Sequence, residues 1–228
     1  LTDGESLAER RRRELEESTS LLGAQRVVLL HYADSGMAGT PENENPAAFC
    51  NVDVEEAAAR LAAILVEESA DVVTIYDPNG GYGHPDHVQV HHVGIRAAEL
   101  AGVPHVYEAA VSRDHLRRLM AANPEWSENA QPPDLDTFGL PDSEITTVVD
   151  VTSAMDAKRA AMHAHATQIG GFRPVPADAR GAVAGGVRSG MVPPSRGTGR
   201  ARGVFAAPPL ISRPGYLREP PARVRFRA

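Results

Sequence analysis

The apolar positions of this 228-residue chain fall into alternating helix-like and strand-like runs. Ser6-Leu7-Ala8-Glu9 has the Ser-x-x-Glu spacing of a capping box and opens a helix that reaches about Leu22, before Gly23. Arg26 to Tyr32 is a run of Val and Leu too continuous for a half-exposed strand, which predicts a strand covered on both faces. A long loop takes Asp34 to Asn51. Asp53 and Glu56 repeat the capping pattern, and the Ala/Leu-rich stretch to Ser69 predicts a helix. Asp71 to Tyr76 is the next buried strand, and Val88 to Leu100 reads as a helix closed by Gly102. Val103 to Ala109 is a weaker strand, Ser112 to Ala122 a helix, Asn123 to Asp142 a loop, Ile145 to Val151 a strand and Thr152 to about Ile169 a last helix. Strands separated by helices of this length imply parallel pairing through right-handed crossovers. The expected class is α/β with an open, mainly parallel sheet.

Composition changes this picture at one end. Residues 171–228 hold eleven arginines against Asp178 and Glu219, a local charge of +9, while residues 1–170 carry −16 within a total of −7. The same terminal segment takes nine of the 18 prolines and nine of the 20 glycines, a composition that rarely packs a core. The chain is therefore expected to divide into a body, 1–170, and an Arg/Pro/Gly-rich tail, 171–228. Three readings of the tail stand: a disordered basic arm, an irregular packed extension, or sequence from a shifted reading frame. Phe205, Tyr216 and Phe226 are too sparse for a stacking platform, so no nucleic-acid partner is expected. No window approaches eighteen uncharged apolar residues, and no membrane partner is expected either. With Cys50 alone there is no internal disulfide and no cysteine-rich zinc site, which fits a cytoplasmic protein.

Candidate chemistry concentrates in one loop. Ligands of open α/β sheets bind outside the carboxyl ends of the strands, and Asp77 to His87 leaves such an end. This segment holds His84, Asp86 and His87 behind Gly80-Gly81-Tyr82-Gly83, where glycines let a substrate approach the backbone. A neutral imidazole at His87 is a good zinc ligand, and a carboxylate nearby can orient the second histidine as an acid or base. Solvated helix-start residues are the bland alternative. His87 and His91 form an i, i+4 pair, but no glutamate sits at the metalloprotease position, so an exposed helical face is the expected role of His91 and His92.

Tyr76 to His87, the earlier Asp34-Ser35-Gly36-Met37 and Arg11-Arg12-Arg13-Glu14 together resemble the LmbE-like, or PIG-L, family of zinc-dependent N-acetylglucosaminyl deacetylases. Lys158 to Gln168 resembles the last helix of the same family, so the likeness runs from about Thr2 to Ile169. Among family members the His-Pro-Asp-His loop looks most like that of the mycothiol-pathway deacetylase and the amidase of mycothiol conjugates. The resemblance implies a Rossmann-like sheet with helices on both faces and a Zn²⁺ cofactor. It implies His87 as the metal ligand and His84 as the residue that stabilises the oxyanion and protonates the leaving amine. Asp86 is then the carboxylate orienting His84, and Tyr82 assists at the carbonyl oxygen. Arg11, Asp34 and Met37 fall on the substrate-binding positions; a solvated helix arginine and a loop cap are the bland readings of the first two.

The family's other signature, a His-Pro-Asp-Asp loop after the first strand, has no match in this chain. The resemblance assigns to that loop two zinc ligands and the aspartate general base. A hydrolytic zinc needs about three protein ligands, which His87 alone does not provide. The expectation is a sequence lacking that first strand, with only half of the machinery present. The function expected for the intact form is zinc-dependent removal of an N-acetyl group from a sugar conjugate such as N-acetylglucosaminyl-inositol, a small-molecule substrate, in a protein that can assemble as a homo-oligomer. Two rivals stand beside it: amidase cleavage of a mycothiol S-conjugate, and a non-catalytic fragment that keeps only sugar binding. A Rossmann-type nucleotide binder is disfavoured, because no G-x-G-x-x-G follows a strand.

Overall fold

The computed structural model describes residues 4–123 and 138–169 and the backbone of residues 186–190. In chain order the elements are α1 (Leu7–Leu21), α2 (Val54–Glu67), β1 (Val72–Tyr76), α3 (Pro85–Ala101), β2 (His105–Ala110), α4 (Arg113–Ala122), β3 (Thr147–Val148), α5 (Met155–Ala164), α6 (Ala166–Ile169) and β4 (Gly186–Gly190). They fall into two compact units. One takes in the described residues of Leu1–Leu30 and Asp150–Val183, the other those of His31–Val149 and Ala184–Ala201.

In the first unit, α1 begins as its sequence dictates. The Ser6 hydroxyl accepts the Glu9 amide at 3.2 Å and the Glu9 carboxylate accepts the Ser6 amide at 2.9 Å, closing the capping box. The single long helix expected over 152–169 is instead broken. His165 (φ −81, ψ 50) leaves helical geometry and separates α5 from α6. The break strands the first amides of α6, and Glu14 of α1 takes one of them: its carboxylate accepts the Thr167 amide at 3.0 Å and the Thr167 hydroxyl at 2.7 Å. Arg10 reaches the same carboxylate at 3.1 Å. Burial raises the Glu14 pKa, but the two Thr167 bonds and Arg10 outweigh it and hold the carboxyl below its ordinary value.

The strand expected over Arg26 to Tyr32 does not form. This run joins no sheet among the described residues, and Val27, Val28 and Leu29 are 43%, 42% and 42% exposed. The apolar run has strand propensity, but a strand exists only where a second chain segment completes its hydrogen bonds, and no described segment does so here.

The second unit is built on alanines. Ala57, Ala58 and Ala62 of α2 meet Val93 and Ala97 of α3, and these short side chains let the two helices pack closely. Asp53 caps α2 by accepting the Glu56 amide at 2.9 Å. A second apolar cluster, Ile75, Ala98, Val103 and Val106, joins α3 to β1 and β2. Gly94 makes that approach possible, since a β-carbon there would lie 2.5 Å from Ile75 Cγ2. The crossover through α3 leaves β1 and β2 parallel, with Val72 opposite His105 and Tyr76 opposite Ala109.

The α/β class is as expected, with a parallel β1–β2 pair flanked by helices. The expectation of a mainly parallel sheet is corrected. The strand order is β1-β2-β4-β3, and both ladders of β4 are antiparallel. The strand expected over Ile145 to Val151 shrinks to the two residues of β3, which among the described residues pair only with β4. β4 itself comes from the Arg/Pro/Gly-rich tail; the rest of that tail, and residues 124–137 of the loop expected over Asn123 to Asp142, lie outside the described residues. Among the described residues no helix is long and apolar enough to cross a membrane.

Candidate active site

The site forms in the second unit where β1 ends. Asp77, 6% exposed, receives the Asn79 amide at 3.0 Å and the Gly81 amide at 2.8 Å on one carboxylate oxygen, which folds the chain after Tyr76 into a tight turn. Gly80 stands in that turn at φ +62, and a β-carbon on it would lie 2.7 Å from the Val88 amide nitrogen and 2.8 Å from His87 Cβ. The glycine thus allows the turn to lie against the start of α3. Pro85 occupies the first helical position, where a missing amide proton costs nothing, so α3 starts three residues earlier than expected.

The two histidines of His84-Pro85-Asp86-His87 are held in opposite ways. His84 caps α3: its Nδ1 accepts the Asp86 amide at 3.2 Å. An accepting Nδ1 carries no proton, so the neutral ring bears its proton on Nε2 and presents a donor outward. His87 lies 3.2 Å through Nδ1 from the Gly80 carbonyl oxygen. A carbonyl can only accept, so Nδ1 carries the proton and Nε2 keeps its lone pair, the arrangement of a metal-ligating histidine. The His87 ring stacks on Tyr76 at 3.9 Å between centroids with 4° between planes, and Tyr82 meets it edge-on at 5.1 Å. Burial first, and Tyr82 second, raise the pKa of the Tyr76 phenol, so Tyr76 acts as a neutral wall.

Asp34, His84 and Asp86 each bring a ligand atom within 4.8 Å of the others, a set that could hold a divalent cation. The hydrogen bonds qualify this. Ser35 gives its amide to Asp86 Oδ2 at 3.2 Å and its hydroxyl to Oδ1, while the Asp34 carboxylate accepts the Gly36 amide at 2.7 Å. Tyr82 is 59% exposed at the rim, its ring 6.2 Å from His84, and Met37 is 46% exposed.

Five expected residues, Asp34, Tyr82, His84, Asp86 and His87, therefore gather around one turn. Met37 follows three residues after Asp34 on the same loop. Arg11 lies in the other unit, on α1. There Arg10 pairs with Glu14, Arg12 with Glu16 and Arg13 with Glu5, whereas Arg11 has no carboxylate partner among the described residues. The expected carboxylate–imidazole bond from Asp86 to His84 is replaced by a backbone bond. His91 is not simply exposed: its Nδ1 lies 3.2 Å from the Tyr76 carbonyl oxygen and 3.5 Å from the buried Glu108 carboxylate. Sequence reasoning did not single out Ser35 or Asp77, although Ser35 stands inside the Asp-Ser-Gly-Met motif.

A helix-start histidine pair, one ring donating and one with a free lone pair, beside an Asp/His/Asp cluster, defines the class of a candidate metal-assisted hydrolase site. The family model described as GlcNAc-PI de-N-acetylase (PIG-L) matches residues 1–98. The chain is a homologue of this PIG-L, or LmbE-like, family. It is 39% identical over 173 residues to the 1D-myo-inositol 2-acetamido-2-deoxy-alpha-D-glucopyranoside deacetylase of Rhodococcus erythropolis, covering 68% of this chain and 59% of that protein. It is 40% identical over 181 residues to the protein of the same name from Thermomonospora curvata, covering 72% and 61%. The chain thus spans less than two thirds of these relatives' length. The crystal structure of a conserved protein from Thermus thermophilus superposes with a TM-score of 0.47 at 19% identity, covering 86% of this chain and 80% of that one.

Proposed function

We propose that this site belongs to a metal-dependent N-deacetylase acting on an amino-sugar conjugate of the N-acetylglucosaminyl-inositol type. The observation that carries the reading is the opposite proton placement of the two histidines: His84 with Nε2–H outward, His87 with Nε2 as a free lone pair. The names of the homologous deacetylases support the substrate class.

His87 Nε2 has the tautomer a Zn²⁺ ion requires, and in a hydrolase such an ion, when bound, polarises the amide carbonyl and acidifies a water. The remaining roles fall to side chains. His84 Nε2–H donates a hydrogen bond to the carbonyl oxygen as negative charge develops on it, and the proton that the departing amine takes up is the one released by the attacking water, so the neutral ring keeps its own. Tyr82 at the rim adds a second donor to that oxygen. Asp34 and Met37 border the substrate side.

The test is acetate release from N-acetylglucosaminyl-inositol, with a thiol-conjugate amide assayed alongside. Acetate release that falls by about 10²–10³ in kcat in His84→Ala is expected, the scale of losing one oxyanion donor. Hydrolysis of the thiol conjugate alone would replace deacetylation by amidase chemistry, and sugar binding without hydrolysis of either compound would leave a binding module. A second metal position has its own observation, the Asp34/His84/Asp86 cluster. It requires His84 to surrender either its helix-capping bond or its Nε2 proton, and for that reason the His87 position is preferred.

A further inference from the structure

Ser35 is fully buried at the centre of the loop that faces α3, and every polar group it owns is engaged. Its amide and hydroxyl both donate to the Asp86 carboxylate, one to each oxygen. Its hydroxyl oxygen accepts the Cys50 amide at 3.0 Å, and its carbonyl oxygen accepts the Asn43 side-chain amide. Both Asp86 oxygens thus go to a single residue 51 positions earlier in the chain. The same aspartate donates its own backbone amide to His84 Nδ1. One residue therefore links the clamped carboxylate to the atom that decides where the His84 proton resides.

We propose that Ser35 is a positioning residue of this site: by holding the Asp86 carboxylate it fixes the Asp86 amide on His84 Nδ1 and so keeps the His84 proton on Nε2. Its catalytic meaning rests on the deacetylase reading above. The buried hydroxyl has no water to compete with it, and removing it leaves the Cys50 amide and one Asp86 oxygen without their partner. Asp86 then keeps only the Ser35 amide and can pivot about that single bond, the first turn of α3 loosens, and the amide that excludes a proton from His84 Nδ1 is held less well in line. His84 consequently populates the other tautomer, which presents a lone pair where the reaction needs a donor.

The experiment is ¹⁵N NMR of the histidine rings in the full chain, at alkaline pH where the rings are neutral. It compares the unsubstituted protein with Ser35→Ala, Ser35→Thr and Asp86→Asn. The Nδ1–H fraction of His84 is expected to rise roughly fivefold in Ser35→Ala, the scale of one hydrogen bond's net contribution, and to return towards its original level in Ser35→Thr. Asp86→Asn approaches the same clamp from the other side and takes the place of Ser35→Ala if that variant does not fold, as judged by circular dichroism. An unchanged His84 ring in the folded variants overturns the proposal. Acetate release keeps the two readings apart. A shifted ring in Ser35→Ala, with no acetate released by the unsubstituted protein, overturns the deacetylase reading alone. An unshifted ring with acetate release overturns the Ser35 proposal alone.

Discussion

A side chain at position 80 would collide with the segment that carries His87, because the β-carbon would fall 2.7 Å from the Val88 amide nitrogen in a backbone at φ +62. Gly80→Ala must therefore either strain the turn or push α3 away, at a cost of about 1–3 kcal/mol. It also moves the Gly80 carbonyl that fixes the His87 tautomer. The expected result is a lower denaturation midpoint together with weaker Zn²⁺ uptake, checked by urea unfolding and metal titration of the same preparation; unchanged uptake in a destabilised variant would separate the turn from the His87 role. At this scale the sequence was informative about which residues meet and silent about how. Asp34, His84 and Asp86, drawn from two separate motifs, bring ligand atoms within 4.8 Å of one another. Which nitrogen of each histidine carries the proton depends on a carbonyl seven residues away for His87 and an amide two residues on for His84. Residue type alone holds neither fact, and the clamp by Ser35 is hidden in the same way by its distance along the chain.

At the scale of elements, close helix–sheet approach rests on Gly94. Gly94→Ala places a methyl group 2.5 Å from Ile75 Cγ2 and is expected to destabilise the second unit by about 1–3 kcal/mol despite alanine's better helix propensity. Urea denaturation measures this, and a stabilised variant would show that β1 and α3 can part without loss. The α1–α6 contact carries a pH dependence. The Glu14 pKa lies below its ordinary value in the fold, so its contribution is fully present above the unfolded glutamate pKa and fades as pH falls through the lowered folded one. Thr167 amide exchange is expected to accelerate over that acidic window, and Glu14→Gln is expected to flatten the response. A Thr167 amide whose protection stays constant through the window would refute the assignment.

Helices were legible because their signals are local: Ser6, Asp53 and Ser112 each cap the helix that follows. Strands were less so, since a strand is decided by its partner. The Val/Leu run after Arg26 has the stronger strand sequence and forms none, whereas Gly-Val-Arg-Ser-Gly at 186–190 lacks an apolar run and pairs on both sides.

At the scale of the molecule, each of the two compact units draws its described residues from separated stretches of the chain. Homology to the family was legible from short motifs, and residues 1–98 carry the family match. The division of labour at the site follows instead from hydrogen bonds that the fold creates. Its most direct test is Zn²⁺ binding by the full chain, followed by titration calorimetry, for the unsubstituted protein, His87→Ala and His84→Ala. His87→Ala is expected to weaken binding at least about tenfold, while His84→Ala stays within about twofold. Lost affinity in His84→Ala with retained affinity in His87→Ala would contradict this expectation and place the metal among Asp34, His84 and Asp86.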